Sequence, residues 1–380
     1  MSQLFDAISH RLDNARAWLK RDAAFIQSQQ TPYEIIAEDG LASLRYYPPL
    51  TSSHIQLEGT QLPVQNGRQQ TPLVIVSPLA VNMAIYDLFP ERSFVRFMLA
   101  QGFPVYLVDW GSPQRRHDAL TLANYFADRL PVFLKSVREH AGQQDISLHG
   151  WSFGGLFSYA CTALSHDPHI RNLVLLGPPC DYHANGMLGK QYQRLSHVMT
   201  WLKRRTGFRI HNTRPGIWRA SALGNAIGFK LTDPVGSLKN YAELVQQLGD
   251  DNFVVKHATN AAFLDQMEAY PGACIQDMVQ YLLTENVLAR GRLPMASRPA
   301  VLKDINASIL MITGKQDVIV TPACARALLK QVASNDITDI TINGSHMGIV
   351  GGRDAAKESW PQIASWLAER DGERQAAANG

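Results

Sequence analysis

The pentapeptide Gly150-Trp151-Ser152-Phe153-Gly154 has the residue types and the spacing for covalent acyl transfer. An apolar run, Ile146 to His149, precedes it and an amphipathic one, Phe153 to Leu164, follows. A serine set between a strand and a helix must occupy a sharp, strained turn, which lifts its hydroxyl to the top of the sheet. Glycines two residues before and two after it leave room for that turn and for close backbone approach. The helix that starts just behind the serine favours developing negative charge. Its first free N–H, on Phe153, is the expected oxyanion donor. Gly-x-Ser-x-Gly is common by chance, so the flanking strand and helix are what single out Ser152.

A serine hydroxyl is a weak nucleophile that needs a base, and the base needs an orienting acid. Seven histidines follow Ser152: His166, His169, His183, His197, His211, His257 and His346. His346 alone follows the last strand-like run, in the glycine-rich loop Asn343 to Gly348. An exposed loop at a strand end is where a catalytic base belongs. Asp317 sits in Gly314-Lys315-Gln316-Asp317, just past the strand Ile309 to Ile312, and so reaches the carboxyl edge of a sheet. Asp304 precedes a strand, and Asp336 and Asp339 come at the start of one, so all three fall at the wrong end. A second oxyanion donor is expected from the loop Ser77 to Asn82, after the strand Leu73 to Val76. Ala80 or Val81 would offer the N–H, with Val81 preferred.

The elements that must position these residues alternate. Strands are expected at Leu73–Val76, Val105–Asp109, Ile146–His149, Leu173–Leu176, Ile309–Ile312 and Ile337–Ile342, with helices at Glu91–Gln101, Leu122–His140, Phe153–Leu164 and Pro322–Val332. Such alternation implies a parallel sheet built from crossovers. A hairpin, Tyr33–Ala37 and Leu41–Tyr47 around Asp39-Gly40, precedes it. The fold class is therefore α/β: an α/β-hydrolase fold with a mostly parallel central sheet flanked by helices and an inserted helical cap. The expected division is an amphipathic N-terminal helix over 1–30, a core over 31–180 and 300–370, a cap over 181–299 and a disordered tail over 371–380. Helical patches stand out in the cap at Asn240–Leu248 and Ile275–Leu288. Leu4, Phe5, Ile8, Leu12 and Leu19 give the N-terminal helix an apolar stripe. That stripe packs on the body, or serves as an attachment surface for a second copy, a partner subunit or a hydrophobic particle.

Composition narrows the function classes. Basic residues number 36 and acidic ones 33, and no long like-charge block occurs, so a nucleic-acid partner is not indicated. Cys161, Cys180, Cys274 and Cys324 are scattered without metal spacing, which argues against disulfides and structural zinc. Asp6 and Asp13 interrupt any signal peptide, and no run approaches the roughly 20 apolar residues of a spanning helix. A cytoplasmic protein with no metal or tightly bound cofactor is expected.

The stretch Pro78 to Asn82, followed by Asp87-Leu88-Phe89-Pro90-Glu91-Arg92-Ser93, Gly102 and Val105-Tyr106-Leu107-Val108-Asp109-Trp110-Gly111, resembles the polyhydroxyalkanoate synthases. The segment from Tyr270-Pro271-Gly272 to Glu285-Asn286-x-Leu288 and the loop Ser345-His346-Met347-Gly348 are similar too. The resemblance covers about residues 30 to 365, and the length resembles the shorter synthases, which work with a partner subunit. It implies a capped core, 3-hydroxyacyl-coenzyme A substrates and a polyester grown on the nucleophile. Its triad falls on Ser152, Asp317 and His346. The chain departs from that family at the nucleophile, where the synthases have cysteine. Val318 also stands where they usually have a histidine after the acid, one thought to help in chain transfer.

An oxyester on serine is a poorer acyl donor than a thioester, and water attack is the usual outcome in serine hydrolases. The leading expectation is thus a serine hydrolase, an esterase or thioesterase acting on 3-hydroxyacyl thioesters or on oligo- and polyesters. Coenzyme A would appear only as part of a substrate. The alternatives are a synthase-type acyltransferase that uses serine, and a non-catalytic, granule-associated binding protein on the same scaffold.

Overall fold

The computed structural model describes residues 2–20, 23–230 and 243–378. Leu73–Val76 is apolar and buried at every position, as a strand covered on both faces must be. It is the third strand of a sheet made of β1 (Glu34–Asp39), β2 (Ala42–Tyr47), β3 (Leu73–Val76), β4 (Val105–Asp109), β5 (Ile146–Trp151), β6 (Ile170–Leu176), β7 (Ser308–Gly314) and β8 (Ile337–Ile342). The spatial order is β1-β2-β4-β3-β5-β6-β7-β8. β2 runs antiparallel to β1 and β4, and every other neighbouring pair is parallel. From β3 the chain passes first to β4 on one side and then to β5 on the other. The carboxyl ends of these three strands therefore flank a topological switch point, where open α/β sheets bind ligands.

Helices cover both faces. On one side α3 (Leu130–Ala141) and α4 (Phe153–Ser165) bury Phe133, Leu134, Leu156 and Phe157. On the other, α2 (Phe94–Ala100) and the last helix, Ser359–Ala378, bury Phe94, Phe97, Trp360 and Ile363. α2 begins later than the pattern indicates. Arg92–Ser93 pairs back on Asp87–Phe89, and the Ser93 hydroxyl then caps the helix by accepting from the Arg96 N–H. The tail expected to be disordered from Asp371 is a correction. The last helix runs on to Ala378, and buried Asp371 accepts from the Gln70 and Thr71 N–H groups.

Between β6 and β7 the alternation gives way to helices. α5 (Gly186–Thr206) and α6 (Asp251–Asp265) lie there, with Ala222–Lys230 between them and Gly272–Asp277 continuing into a π-helical segment, Met278–Thr284. The start of the patch expected at Asn240–Leu248 lies outside the described residues. The N-terminal helix, α1 (Ser2–Lys20), docks on this region through polar contacts. Asn14 donates to the Leu248 carbonyl (2.9 Å) and to Asp251 (2.8 Å), and the Trp18 indole donates to His257 (3.0 Å). Its Phe5, Ile8, Leu12 and Leu19 are exposed.

Candidate active site

Ser152 occupies the turn between β5 and α4 with φ 54° and ψ −121°. For a residue with a side chain this conformation costs about 1–3 kcal/mol and persists only where its surroundings fix it. They do so here. The Ser152 N–H donates to the Leu176 carbonyl (2.9 Å), tying the turn to β6. A Cβ on Gly150 would lie 2.4 Å from the Gly154 carbonyl, and one on Gly154 would lie 2.0 Å from the Val76 carbonyl oxygen. Both glycines are thus required by contact, Gly150 where the elbow folds back on the start of α4 and Gly154 where α4 meets β3.

Asp317 follows β7 and His346 follows β8, so the sheet brings both to the edge that carries Ser152. His346 Nδ1 and Asp317 Oδ2 are 2.7 Å apart, and both side chains are buried. The other carboxylate oxygen accepts from the Ile319 (3.0 Å) and Val320 (2.8 Å) N–H groups, so the acid is held at both ends. The Trp151 indole N–H donates to the His346 carbonyl (2.8 Å), and the two rings lie 5.2 Å apart. The residue beside the serine therefore anchors the loop of the histidine. Gly177, at φ +50°, passes so close that a Cβ there would sit 3.3 Å from Asp317 Oδ2 and 3.4 Å from His346 Cε1. Trp151 and Gly177 were not singled out from the sequence. A glycine directly after an apolar strand is a signal for Gly177, whereas nothing local marks Trp151.

The two candidate oxyanion donors come from separate elements. Phe153 is the first residue of α4, where backbone N–H groups have no partner within the helix. Val81 lies in the loop after β3, at the switch point, and is buried. Its neighbour Ala80 has φ 66°, in the left-handed region.

The four cysteines are buried and unpaired. Burial pushes the thiols of Cys161 and Cys324 up to about 12, and those of Cys180 and Cys274 well above their usual range. Thiolate is the reactive form, so none of them is a substitute nucleophile. Among the described residues no group of His, Cys, Asp and Glu could hold a metal ion, and no helix is long and apolar enough to cross a membrane.

Known proteins align with this arrangement over most of the chain. A family model described as "Alpha/beta hydrolase family" matches residues 74–356. A "Poly(3-hydroxyalkanoate) polymerase subunit PhaC" of Haloarcula marismortui is 26% identical over 90% of this chain and 68% of its own length. The protein of that name in Allochromatium vinosum is 29% identical over 80% of this chain and 82% of its own length. Among solved structures, a soluble variant of monoglyceride lipase from Saccharomyces cerevisiae aligns over 91% of this chain and 97% of its own, with TM-score 0.54 and 15% identity. That likeness is one of fold. The chain belongs to the alpha/beta hydrolase family and, within it, is similar to polyhydroxyalkanoate polymerase subunits.

Proposed function

We propose that the chain is an acyltransferase of the polyhydroxyalkanoate-synthase type, with Ser152 as nucleophile, His346 as base and then acid, and Asp317 as orienting carboxylate. The observation that carries this reading is similarity to polymerase subunits along 80–90% of the chain, together with a buried, hydrogen-bonded Asp317–His346 pair beside the strained serine. Ser152 Oγ attacks the carbonyl of a 3-hydroxyacyl thioester and gives its proton to His346 Nε2. The Phe153 and Val81 N–H groups hold the oxyanion. Collapse breaks the C–S bond, and the thiol leaves with the proton from His346. A hydroxyl group then attacks the acyl-serine, loses its proton to His346, and leaves Ser152 free when that proton returns to Oγ. Ester-to-ester transfer of this kind is close to isoenergetic, so serine can carry the step if water is kept out.

Hydrolysis is the second reading, and the serine itself favours it, since water attack on an acyl-serine needs no further substrate. Exposed Val318, beside the acid where the synthases usually carry histidine, leans the same way. Incubation with 3-hydroxybutyryl-coenzyme A, following thiol release and separating free acid from polymer, tests both, with Ser152→Ala as control. Polymer or oligomer that disappears in Ser152→Ala is the expected result. Free 3-hydroxybutyrate alone would favour the hydrolase, and thiol release that persists in Ser152→Ala would sink both readings.

A further inference from the structure

The loop that carries Val81 is held by unusual means. On one side it borders a cavity of about 430 Å³, which Arg45, Asp109 and Ser112 also line. The side chains of Leu79, Val81 and Met83 are packed into the core. The backbone is held in addition by the segment Gln266–Ala269, just after α6, which lines the same cavity and meets the loop at two points. The Glu268 N–H donates to the Ala80 carbonyl (2.9 Å), and the Asn82 side-chain amide donates to the Gln266 carbonyl (3.0 Å). The segment is moored in turn. The Ser112 hydroxyl donates to the Glu268 carboxylate (2.8 Å), and the Asn225 side chain donates to the Glu268 carbonyl (2.7 Å).

The first of these bonds bears on catalysis through peptide planarity. The Ala80 carbonyl and the Val81 N–H belong to one trans peptide unit, in which C=O and N–H point in opposite directions. A bond that fixes the carbonyl therefore fixes the N–H. The same unit follows Ala80, whose left-handed φ of 66° costs about 1–2 kcal/mol for a residue with a Cβ and would relax without a restraint.

We propose that Gln266–Ala269 is a strap that aims the Val81 N–H at the oxyanion, with Glu268 as its positioning residue, so that the oxyanion hole is complete only while this segment is docked. This rests on the assignment of Val81 as donor and Ser152 as nucleophile. Glu268 touches no reacting atom, and its backbone N–H acts through the Ala80 carbonyl.

The test uses the full chain, p-nitrophenyl butyrate as substrate and a trifluoromethyl ketone of similar length as analogue of the tetrahedral adduct. Glu268→Pro removes the donating N–H. Its expected effect is a fall in kcat of about 10²-fold, the order found when one oxyanion donor is lost, with KM within about twofold and a parallel loss of ketone affinity. Glu268→Gln, which keeps the N–H and a side-chain acceptor for Ser112, should stay within about threefold of the parent. If Glu268→Pro does not fold, Glu268→Ala and Ser112→Ala decide the matter, each expected to lower kcat about five- to tenfold at unchanged KM. Parent-like kcat in every folded variant, or a rise in KM alone, would overturn the strap while leaving the acyl-transfer reading intact. Turnover in the parent that persists in Ser152→Ala would instead remove the acyl-transfer reading and the strap with it.

Discussion

Two strained residues follow the neighbouring strands β5 and β3, and they are held in different ways. Ser152 and Ala80 both carry a Cβ at positive φ, 54° and 66°. Around Ser152 there is no space to relax: Gly150, Gly154 and the Val76 carbonyl are in contact, and backbone bonds tie the turn to β6. Beside Ala80 there is a cavity that Gln266–Ala269 also lines, with one hydrogen bond from the Glu268 N–H to the Ala80 carbonyl and one from the Asn82 side chain to the Gln266 carbonyl. Strain in the elbow is thus borne by close-packed sheet and helix, which open only with global unfolding. Strain in the loop is borne by a segment between helices, the kind of element that can undock. The candidate nucleophile is built into the core, whereas the loop of the proposed donor Val81 is held in part by the segment that covers it.

The largest effect that could break this comparison is on rate. Asp317→Asn keeps an oxygen for the Ile319 and Val320 N–H groups but presents the wrong partner to His346 Nδ1. The expected outcome is a fall in kcat of about 10⁴-fold with little change in melting temperature. A loss below tenfold would mean that the buried pair is structural and that the chemistry lies elsewhere.

Stability tests the comparison next. Gly154→Ala drives a methyl group to within 2.0 Å of the Val76 carbonyl and should cost about 3 kcal/mol, read from urea unfolding. Ala80→Gly should be close to neutral. It relieves about 1–2 kcal/mol of left-handed strain and gives back about 0.4–1 kcal/mol through the freer unfolded chain. Similar costs at the two positions would erase the distinction between a packed elbow and a strapped loop.

The elbow turn and the sheet are legible in the sequence because each rests on a local pattern. Strands β3 and β4 have the bounds that their apolar runs indicate, since a strand covered on both faces of the sheet is apolar almost throughout, and the edge strand β8 has the bounds that its isoleucines, spaced among threonines and an aspartate, indicate. His346 and Asp317 are candidates because they follow strand ends, and in the structure they do so. The cap was read poorly for a physical reason. α5 leaves Met187, Val198 and Trp201 exposed, so its apolar positions do not mark a buried face, and its 21-residue span is not obvious from periodicity. Glu268 has no signal at all, because its proposed contribution is a backbone N–H bonded to the Ala80 carbonyl, far away in sequence. The second donor stayed open between Ala80 and Val81 in the sequence. The Glu268 N–H bonds the carbonyl of the peptide that carries the Val81 N–H, which is why the proposal takes Val81.

The smallest predicted effect concerns how firmly the elbow's own strand is packed. His149, three residues before Ser152 on β5, is fully buried between Phe94 (ring centroids 4.7 Å) and Tyr86 (5.7 Å, edge-on). Neither ring nitrogen has a hydrogen-bond partner among the described residues. Burial holds its pKa down to about 3, against about 6.5 in an unfolded chain. The folded protein therefore keeps the ring neutral while the unfolded chain takes up a proton. The stability from this site is complete above pH 6.5 and is lost as pH falls through 6.5 toward 3, at up to about 1.4 kcal/mol per pH unit. His149→Phe removes the titration and replaces two unpaired nitrogens with an apolar edge, a change that is near neutral when no hydrogen bond is broken. Urea midpoints at pH 7.5 should therefore be similar for the two proteins, and at pH 4.5 the variant should be the more stable by about 2 kcal/mol. Equal acid sensitivity would mean that water reaches β5 beneath the elbow, and that the strand carrying the nucleophile is less tightly sealed than the loop opposite it.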